Sequence, residues 1–261
     1  MTIIKFLKTY LFRKDFHFKV LEKIKNFKRL NFKNAFNDQQ LLMIGKKNLI
    51  IFDVGAHIGK TIKKYQSNFP ISKIYAFEPY PPLYNELSNK FKNNSEINIS
   101  QIGLSNKSGT TTFYLSKYEN LNSFKKPNHR AWGFDDHYTI QVETTSLEKY
   151  CSKNSINYID ILKIDVQGSE LDLLEGSEDL LINEKIGIIY IEWQVVPLYE
   201  NHSLYFEISD FLKQFGYELF NIYNVNEARS GQMRWADAIF TSKSIRKNII
   251  SKFGNGQGSG W

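Results

Sequence analysis

The chain has 261 residues, of which 42% are hydrophobic and 23% are charged, the composition of a folded globular protein. Wholesale disorder, a collagen-like repeat and a disulfide-stapled miniprotein are excluded, the last because Cys151 is the only cysteine. The net charge is +7, from 34 Lys and Arg against 27 Asp and Glu.

The first segment of the chain is a basic, Phe-rich arm over residues 1–45. Residues 1–37 hold ten basic side chains against two acidic ones, a net charge of +8 that leaves the rest of the chain close to neutral. The apolar spacing of the arm predicts partly helical structure. No apolar run reaches the roughly 18 to 20 residues that span a bilayer, and basic residues interrupt any signal-peptide core. We therefore expect a cytoplasmic protein whose arm contacts, at most, the inner face of the membrane.

Residues 46–245 alternate short apolar runs with longer helical patterns, which is typical of βαβ units and a mostly parallel sheet. The predicted strands lie at 49–54, 73–77, 97–104, 139–144, 159–166, 186–192, 217–223 and 235–242. The predicted helices lie at 59–67, 83–92, 146–151 and 204–215. Residues 111–115 alternate in polarity and predict an antiparallel excursion from the main sheet.

Two segments lack a regular pattern. Residues 116–138 form an irregular insertion rich in Asn, Lys, His and aromatic side chains, and such insertions often serve as functional loops or lids. Residues 246–261 contain a glycine-rich tail that is predicted to be flexible from its composition. We therefore predict a single α/β domain over 46–245, between the arm and this tail.

The most informative motif follows the first strand, where Asp53 precedes a turn framed by Gly55 and Gly59. Glycines in such a turn let the backbone approach a ligand closely. The spacing differs from the G-x-G-x-x-G fingerprint of dinucleotide-binding folds, which weighs against an NAD-dependent dehydrogenase. An acidic residue beside the first glycine suits a cationic or neutral ligand better than a pyrophosphate. The pattern therefore favours S-adenosylmethionine, which carries a sulfonium and an ammonium group.

A second acidic residue, Glu78, ends the second predicted strand. A carboxylate at this place can accept hydrogen bonds from both hydroxyls of a ribose, and the carboxyl ends of parallel strands share one crevice. The alternative is that each motif contains only turn and capping residues. Because the two motifs occur in order on consecutive βα units, a nucleoside-type ligand is the favoured interpretation.

The third motif places two charged residues, Lys163 and Asp165, inside a mostly apolar strand. Burying a charge without a partner is costly, so these residues need a partner or a function. The following Gly168-Ser169-Glu170 predicts a strand-to-helix turn with Ser169 as a possible N-cap.

The chain resembles the FkbM-type S-adenosylmethionine-dependent methyltransferases through six motifs in order, between about residues 50 and 242: FDVGAHIGKT, AFEP, GLSNKSGTTTFYL, TTSLEKY, LKIDVQGSELDLLEGSEDLL and IIYIEW. The resemblance implies an α/β, Rossmann-like class I methyltransferase fold. That fold has a mostly parallel seven-stranded sheet with helices on both faces and an antiparallel last strand. The arm, the insertion and the tail lie outside the clear match.

The resemblance also implies which residues bind the cofactor. They are the loop residues Asp53, Gly55, Ala56, His57 and Gly59, the ribose-binding Glu78 with Pro79 beside it, Leu104 and Ser105 near the adenine, and Asp165 beside the methyl-donor site. His57 stands where the family often has asparagine, and the acid that is usual at the adenine position is missing.

A hydroxyl acceptor benefits from a base that takes its proton. Asp165 and Glu192 end adjacent predicted strands, and we expect one of them to orient or deprotonate the acceptor. For Glu192, a strand-end salt bridge is the alternative. A divalent metal between the two acids is a less favoured alternative, and no metal ligand is assigned. The remaining candidates for the base are His57, His137 and His202.

The resemblance implies O-methylation, and we expect the acceptor to be a sugar in a bacterial surface glycan or its precursor. A hydroxyl-bearing small-molecule secondary metabolite is the alternative acceptor. A hypothesis from another functional class is that the chain is a membrane-surface or nucleic-acid binding protein that uses the basic arm. Nucleic acid is disfavoured because the basic charge avoids the body of the chain.

Overall fold

In the computed structural model, the described residues are 34–128 and 137–251. The chain forms two units, residues 1–38 and 39–261, and residues 34–38 are the described part of the first. Residues 1–33 of the predicted arm, residues 129–136 of the insertion and residues 252–261 of the tail lie outside the described residues. The predictions for these segments and for the domain boundaries stay predictions. Within the described ranges, no helix combines the length and the apolar character needed to cross a membrane.

The described residues form strands β1 to β10 and helices α1 to α8. The strands are β1 (Ile50–Val54), β2 (Lys73–Phe77), β3 (Ile97–Ser100), β4 (Gly103–Leu104), β5 (Gly109–Ser116), β6 (His137–Thr145), β7 (Ile159–Ile164), β8 (Ile186–Gln194), β9 (Glu218–Glu227) and β10 (Met233–Thr241). The helices are α1 (Ala35–Leu42), α2 (Lys60–Asn68), α3 (Pro81–Phe91), α4 (Leu147–Lys153), α5 (Glu170–Glu175), α6 (Glu178–Ile182), α7 (Tyr205–Gln214) and α8 (Lys243–Ile245). A 3₁₀ turn covers Glu119–Leu121, and a π-helical turn, Arg246–Ile250, follows α8.

The main sheet has seven strands in the order β3-β2-β1-β7-β8-β10-β9. The pairs from β3 to β8 are parallel, whereas β10 runs antiparallel to both of its neighbours. This confirms the mostly parallel, class I methyltransferase-like sheet with its antiparallel last strand. The chain moves outward from β1 to β3 and then returns to β7 on the other side of β1. Open α/β sheets bind ligands at such a switch point, outside the carboxyl ends of the strands.

The third predicted strand is divided between two sheets. Residues 97–100 pair with β2, whereas β4 pairs with β6 in a second, three-stranded sheet of order β4-β6-β5. The predicted antiparallel excursion is confirmed as β5, which pairs with β6 along its whole length. The helices α5 and α6 have no counterpart among the predicted helices beyond the strand-to-helix turn at Ser169. The Ser169 hydroxyl makes no capping hydrogen bond.

Alternation along the central strands separates an apolar layer from a polar one. Successive side chains of a strand point to opposite faces of the sheet. Phe52 of β1 and Leu162 of β7 belong to the main hydrophobic cluster and are fully buried. The next residues in each strand, Asp53 and Lys163, are partners in the β1–β7 register and point to the other face. This register brings two opposite charges together directly beneath the switch point.

Candidate functional site

A cavity of about 240 Å³ opens over the carboxyl ends of β1, β2, β7 and β8, at the switch point. Its lining residues are Val54, Gly55, His57, Phe77, Glu78, Pro79, Leu83, Ile102, Gly103, Leu104, Phe113, Glu119, Asn120, Asn122, Phe124, Asp165, Val166, Gln167 and Glu192. Four of these side chains are carboxylic acids, and no described lysine or arginine lines the cavity. The cavity is therefore an acidic one.

The glycine loop after β1 is shaped by two close approaches. Gly55 has a φ of +78°, and a Cβ added there would lie 1.9 Å from the carbonyl oxygen of Asp165. The amides of Gly55 and Ala56 both donate to the carbonyl oxygen of Phe77, at 3.1 and 3.0 Å. These contacts turn the chain sharply between the ends of β2 and β7. Gly59, with a φ of +74°, instead lets α2 pack closely on α3, since a Cβ there would lie 2.8 Å from Leu87.

Glu78 is held rigidly at the end of β2. Its Oε2 accepts a hydrogen bond from the His57 amide at 2.9 Å, and its Oε1 accepts one from the Tyr80 amide at 3.0 Å. Burial raises the pKa of this carboxyl to about 7, while the two amides oppose the shift. A carboxylate has about four acceptor positions, so two amide donors leave room for two hydroxyl donors. The structure thus brings Glu78 and the glycine loop to one cavity.

Asp53 is placed differently from the prediction. It is fully buried and does not line the cavity, and Lys163 Nζ lies 3.0 Å from its Oδ1. The same ammonium donates to the carbonyl oxygen of Gly55 at 3.1 Å. Although burial lowers the pKa of Lys163, the carboxylates of Asp53 and Asp165 raise it above its ordinary value, so the ammonium stays charged. Asp53 therefore supports the loop from below through Lys163, and its predicted part in cofactor binding stays a prediction.

The two predicted catalytic acids are joined by a third side chain. Gln167 Nε2 donates to Asp165 Oδ1 at 2.8 Å and to Glu192 Oε2 at 3.0 Å. All three residues line the cavity. Burial, followed by the neighbouring charges of Asp165 and Asp237, raises the pKa of Glu192 well above its ordinary value. Glu192 therefore faces the cavity as a weak acid beside a second carboxyl and makes no strand-end salt bridge among the described residues.

The contributions of Gln167 and of the insertion to the cavity wall were not predicted from the sequence. The insertion contributes Glu119, Asn120, Asn122 and Phe124 to the cavity wall. Its Ser123 hydroxyl donates to the Gln167 carbonyl oxygen at 2.5 Å, which ties the insertion to the acid pair. The irregular pattern of residues 116–138 indicated a functional loop, but no local signal singled out these side chains.

Of the other predicted site residues, His57, Pro79 and Leu104 line the cavity, whereas Ala56, Gly59 and Ser105 do not. The Ser105 amide donates to the Thr145 carbonyl oxygen, which fastens the second sheet. His202 also lies outside the lining, and its Nδ1 contacts the Tyr199 backbone at 2.6 Å. The side chain of His137 lies outside the described residues.

These residues fit the cofactor that the sequence implies. An acidic cavity without described cationic lining residues suits a ligand with a sulfonium and an ammonium group and opposes a pyrophosphate. Glu78 is available to the ribose hydroxyls, and Ile102, Leu104 and Phe124 give an apolar wall for a base. Asp165 and Glu192 offer carboxylates to positive charge. The described residues contain no cluster of three or more His, Cys, Asp or Glu side chains arranged to hold a metal ion.

Known proteins with similar sequences are methyltransferases. The chain is 26% identical over 189 residues to the 2-O-methyltransferase NoeI of Sinorhizobium fredii, a match that covers 68% of this chain and 76% of that protein. It is 26% identical over 176 residues to the 31-O-demethyl-FK506 methyltransferase FkbM of Streptomyces tacrolimicus, covering 57% and 68%. It is 24% identical over 160 residues to the hexuronic acid methyltransferase AglP of Haloferax volcanii, covering 60% and 62%.

The model of the methyltransferase FkbM domain matches residues 53–219. This range runs from Asp53 to the start of β9 and includes every lining residue of the cavity. It covers more than half of the chain. The chain belongs to the FkbM methyltransferase family.

Proposed function

We propose that this protein transfers a methyl group from S-adenosylmethionine to a hydroxyl of a sugar, in a surface glycan or its precursor. The observation that carries the proposal is the acidic cavity at the switch point, where Glu78, Asp165 and Glu192 converge with the Gly55 loop. When bound there, S-adenosylmethionine supplies an electrophilic methyl group on a positively charged sulfur.

The protein's own residues would divide the work by position. Glu78, fixed by two backbone amides, binds the ribose hydroxyls. The Gly55 backbone and the acids opposite it accommodate the positively charged end of the cofactor. Asp165 and Glu192 orient the acceptor hydroxyl and take its proton, because they are the carboxyls at the ends of β7 and β8. Holding the hydroxyl in line with the methyl group contributes up to about 7–11 kcal/mol of the barrier reduction.

Transfer to oxygen and the choice of a sugar are supported by the relatives. NoeI is a 2-O-methyltransferase, and AglP is a hexuronic acid methyltransferase. FkbM, which acts on 31-O-demethyl-FK506, supports a small secondary metabolite as the second candidate acceptor.

The test begins with calorimetry of the full-length protein against S-adenosylhomocysteine and NADH. Binding of the first and not of the second is expected, and no binding of S-adenosylhomocysteine would refute the proposal. The protein is then incubated with methyl-labelled S-adenosylmethionine and two acceptor panels, neutral and acidic sugars and polyketide-type alcohols. Label is expected on a sugar hydroxyl. Label only on the alcohols would select the second candidate.

A further inference from the structure

One side-chain amide, that of Gln167, bridges two of the acidic side chains that line the cavity. Gln167 Nε2 lies within hydrogen-bond distance of both Asp165 Oδ1 and Glu192 Oε2, at 2.8 and 3.0 Å. A single –NH₂ group therefore supplies both hydrogens to carboxyl groups at the end of neighbouring strands. We name Asp165, Gln167 and Glu192 the bridged acid pair.

The orientation of the bridging amide is fixed from its other side. The Tyr199 hydroxyl donates to Gln167 Oε1 at 2.7 Å, and the Ser123 hydroxyl donates to the Gln167 backbone carbonyl. Tyr199 and Ser123 are both buried. Rotating the amide by half a turn would point its oxygen at two carboxyls and its –NH₂ group at a hydroxyl hydrogen. Gln167 therefore holds the two acids near each other as a positioning residue.

The surroundings give the bridged acid pair little positive charge. The titratable and charged groups that face it are Lys163 on β7, Asp53 on β1, Tyr190 on β8, Asp237 on β10, Glu170 on α5, Tyr199 in the loop after β8, and His57 and Glu119 across the cavity. Lys163 is the cation nearest to the pair among the described residues, and it is 3.6 Å from Asp165 Oδ2 but 3.0 Å from Asp53. A buried carboxyl beside a second carboxylate binds a proton more tightly than it would alone, and Glu192 is such a carboxyl beside Asp165.

We propose that the bridged acid pair holds one proton while the cavity contains no cation, and releases it when a ligand with a positive charge at its methyl-bearing position binds. This inference rests on the proposed function. The proton neutralises one of the two carboxylates of the pair, and the positive charge of the ligand neutralises that charge in its place. Binding of the ligand therefore displaces the proton. The pair thus becomes fully ionised, and able to act as a base, only when the methyl donor is present.

The same exchange balances the reaction. As the O–CH₃ bond forms and the C–S bond breaks, the electron pair of the broken bond stays on sulfur and the sulfonium charge is lost. The acceptor's hydroxyl proton then goes to the bridged acid pair. The pair holds one proton again when its neighbour is a neutral thioether, so the net charge of the cavity is the same before and after transfer.

The test counts protons and needs no acceptor. Calorimetry of the full-length protein in two buffers of different ionisation enthalpy gives the number of protons released on binding. It is run at about pH 6.5, where the α-amino groups of the ligands remain mostly protonated. S-adenosylmethionine and sinefungin carry a positive charge at the methyl-bearing position, whereas S-adenosylhomocysteine does not. The two cations are expected to release about one proton more than the neutral ligand. Any proton released from Glu78 is common to all three ligands and cancels in this difference.

Two matched variants assign the proton. Glu192→Gln is expected to reduce the difference between S-adenosylmethionine and S-adenosylhomocysteine to near zero. Glu119→Gln removes a carboxyl of the same cavity that is not bonded to Gln167, and is expected to retain the difference. Equal proton counts for cationic and neutral ligands with the unaltered protein overturn the inference, even if Glu192→Gln fails to fold. Loss of the difference in Glu119→Gln alone overturns the assignment to the pair. If none of the three ligands binds, the proposed function itself fails.

Discussion

Lys163 Nζ lies 3.0 Å from Asp53 Oδ1 at the floor of the candidate site, with both side chains shielded from solvent. The pair connects β1 to β7 one register position before the last paired residues of the two strands, beneath the switch point. Through its second hydrogen bond, to the Gly55 carbonyl, Lys163 also fixes the loop that begins there. The cavity wall therefore depends on an ion pair that does not itself face the cavity.

Removing one partner of this ion pair should lower the free energy of unfolding more than removing both partners. Lys163→Met leaves the Asp53 carboxylate buried without its cation, and we expect the free energy of unfolding to fall by about 3–5 kcal/mol. Urea denaturation measures this loss. The double variant Asp53→Asn, Lys163→Met removes both charges and should be more stable than Lys163→Met alone. A double variant as unstable as the sum of its two single variants would show that the two groups do not interact.

Gly55 should be the least replaceable glycine of the loop. Alanine there combines a left-handed backbone with a Cβ 1.9 Å from the Asp165 carbonyl oxygen, so β1 and β7 must separate. We expect Gly55→Ala to lower the free energy of unfolding by roughly 3 kcal/mol or more and to abolish S-adenosylhomocysteine binding.

Gly45 provides a matched control for this variant. Its φ of +79° is almost the same, but among the described residues no atom beyond its own chain neighbours lies within 4 Å of an added Cβ. Gly45→Ala should therefore lower the free energy of unfolding by only about 1 kcal/mol, the cost of a left-handed backbone at alanine. It should keep full ligand affinity. Equal losses in the two variants would mean that the close approach to Asp165 contributes nothing.

Much of the fold was predictable because its signals are local. Apolar runs such as 186–191 are characteristic of buried parallel strands, and glycines mark the turns between them. The cavity-lining positions of Glu78, Asp165 and Glu192 were also predictable, since acidic residues at the carboxyl ends of neighbouring strands meet at one edge of the sheet.

The features that the sequence did not indicate depend on strand register and on rare backbone conformations. Asp53 was expected to face the crevice at the strand ends, whereas the β1–β7 register places it opposite Lys163 and outside the cavity lining. Gln167 was not predicted because its bridging position has a backbone φ of +56°, and residues other than glycine seldom adopt such a positive φ. The hydrogen bond from the Ser105 amide to Thr145, which fastens the second sheet, was likewise not indicated. None of these contacts leaves a spacing signal in the sequence.

Ligand affinity should depend on pH through Glu78, whose pKa burial raises to about 7. The carboxylate accepts hydrogen bonds from ribose hydroxyls better than the neutral acid does, so affinity should rise with pH through 7. Calorimetry between about pH 6 and 7.5 should show the Kd for S-adenosylhomocysteine increasing towards tenfold per pH unit on the acidic side. Glu78→Gln should bind more weakly at every pH and lose this dependence. A Kd for the unaltered protein that does not change with pH would contradict the assignment.

The raised pKa of Glu78 should affect stability in the opposite direction, since its contribution to the free energy of unfolding decreases as the pH rises. Because the pKa of Glu78 is higher in the folded protein than its ordinary value of 4.5, the folded state binds this proton more tightly than the unfolded state does. The Glu78 contribution to the free energy of unfolding is therefore complete below about pH 4.5 and is lost as the pH rises through 7. Without ligand, Glu78→Gln should remove this part of the pH dependence in urea denaturation.

The basic arm is the remaining sequence-based expectation that can be tested directly. Its net charge of +8 over residues 1–37 predicts binding to vesicles that contain an anionic phospholipid, and weaker binding at high salt. Flotation with phosphatidylglycerol vesicles measures the binding, with phosphatidylcholine vesicles as the neutral comparison. Deleting residues 1–33 should abolish flotation while leaving S-adenosylhomocysteine binding unchanged. Flotation that survives the deletion, or none in the intact protein, would contradict membrane binding by the arm.

Two point-variant sets separate the electrostatic from the apolar part of this binding. Replacing Lys5, Lys8, Arg13 and Lys14 by glutamine keeps the phenylalanines and removes about 1 kcal/mol of attraction per charge at an anionic surface. Replacing Phe6, Phe12, Phe16 and Phe18 by serine keeps the charge and removes the side chains that enter the interface. If the arm acts at a membrane, both sets should weaken flotation, since the two contributions add. If only the charge set has an effect and RNA competes with the vesicles, the arm is a general polyanion-binding segment instead.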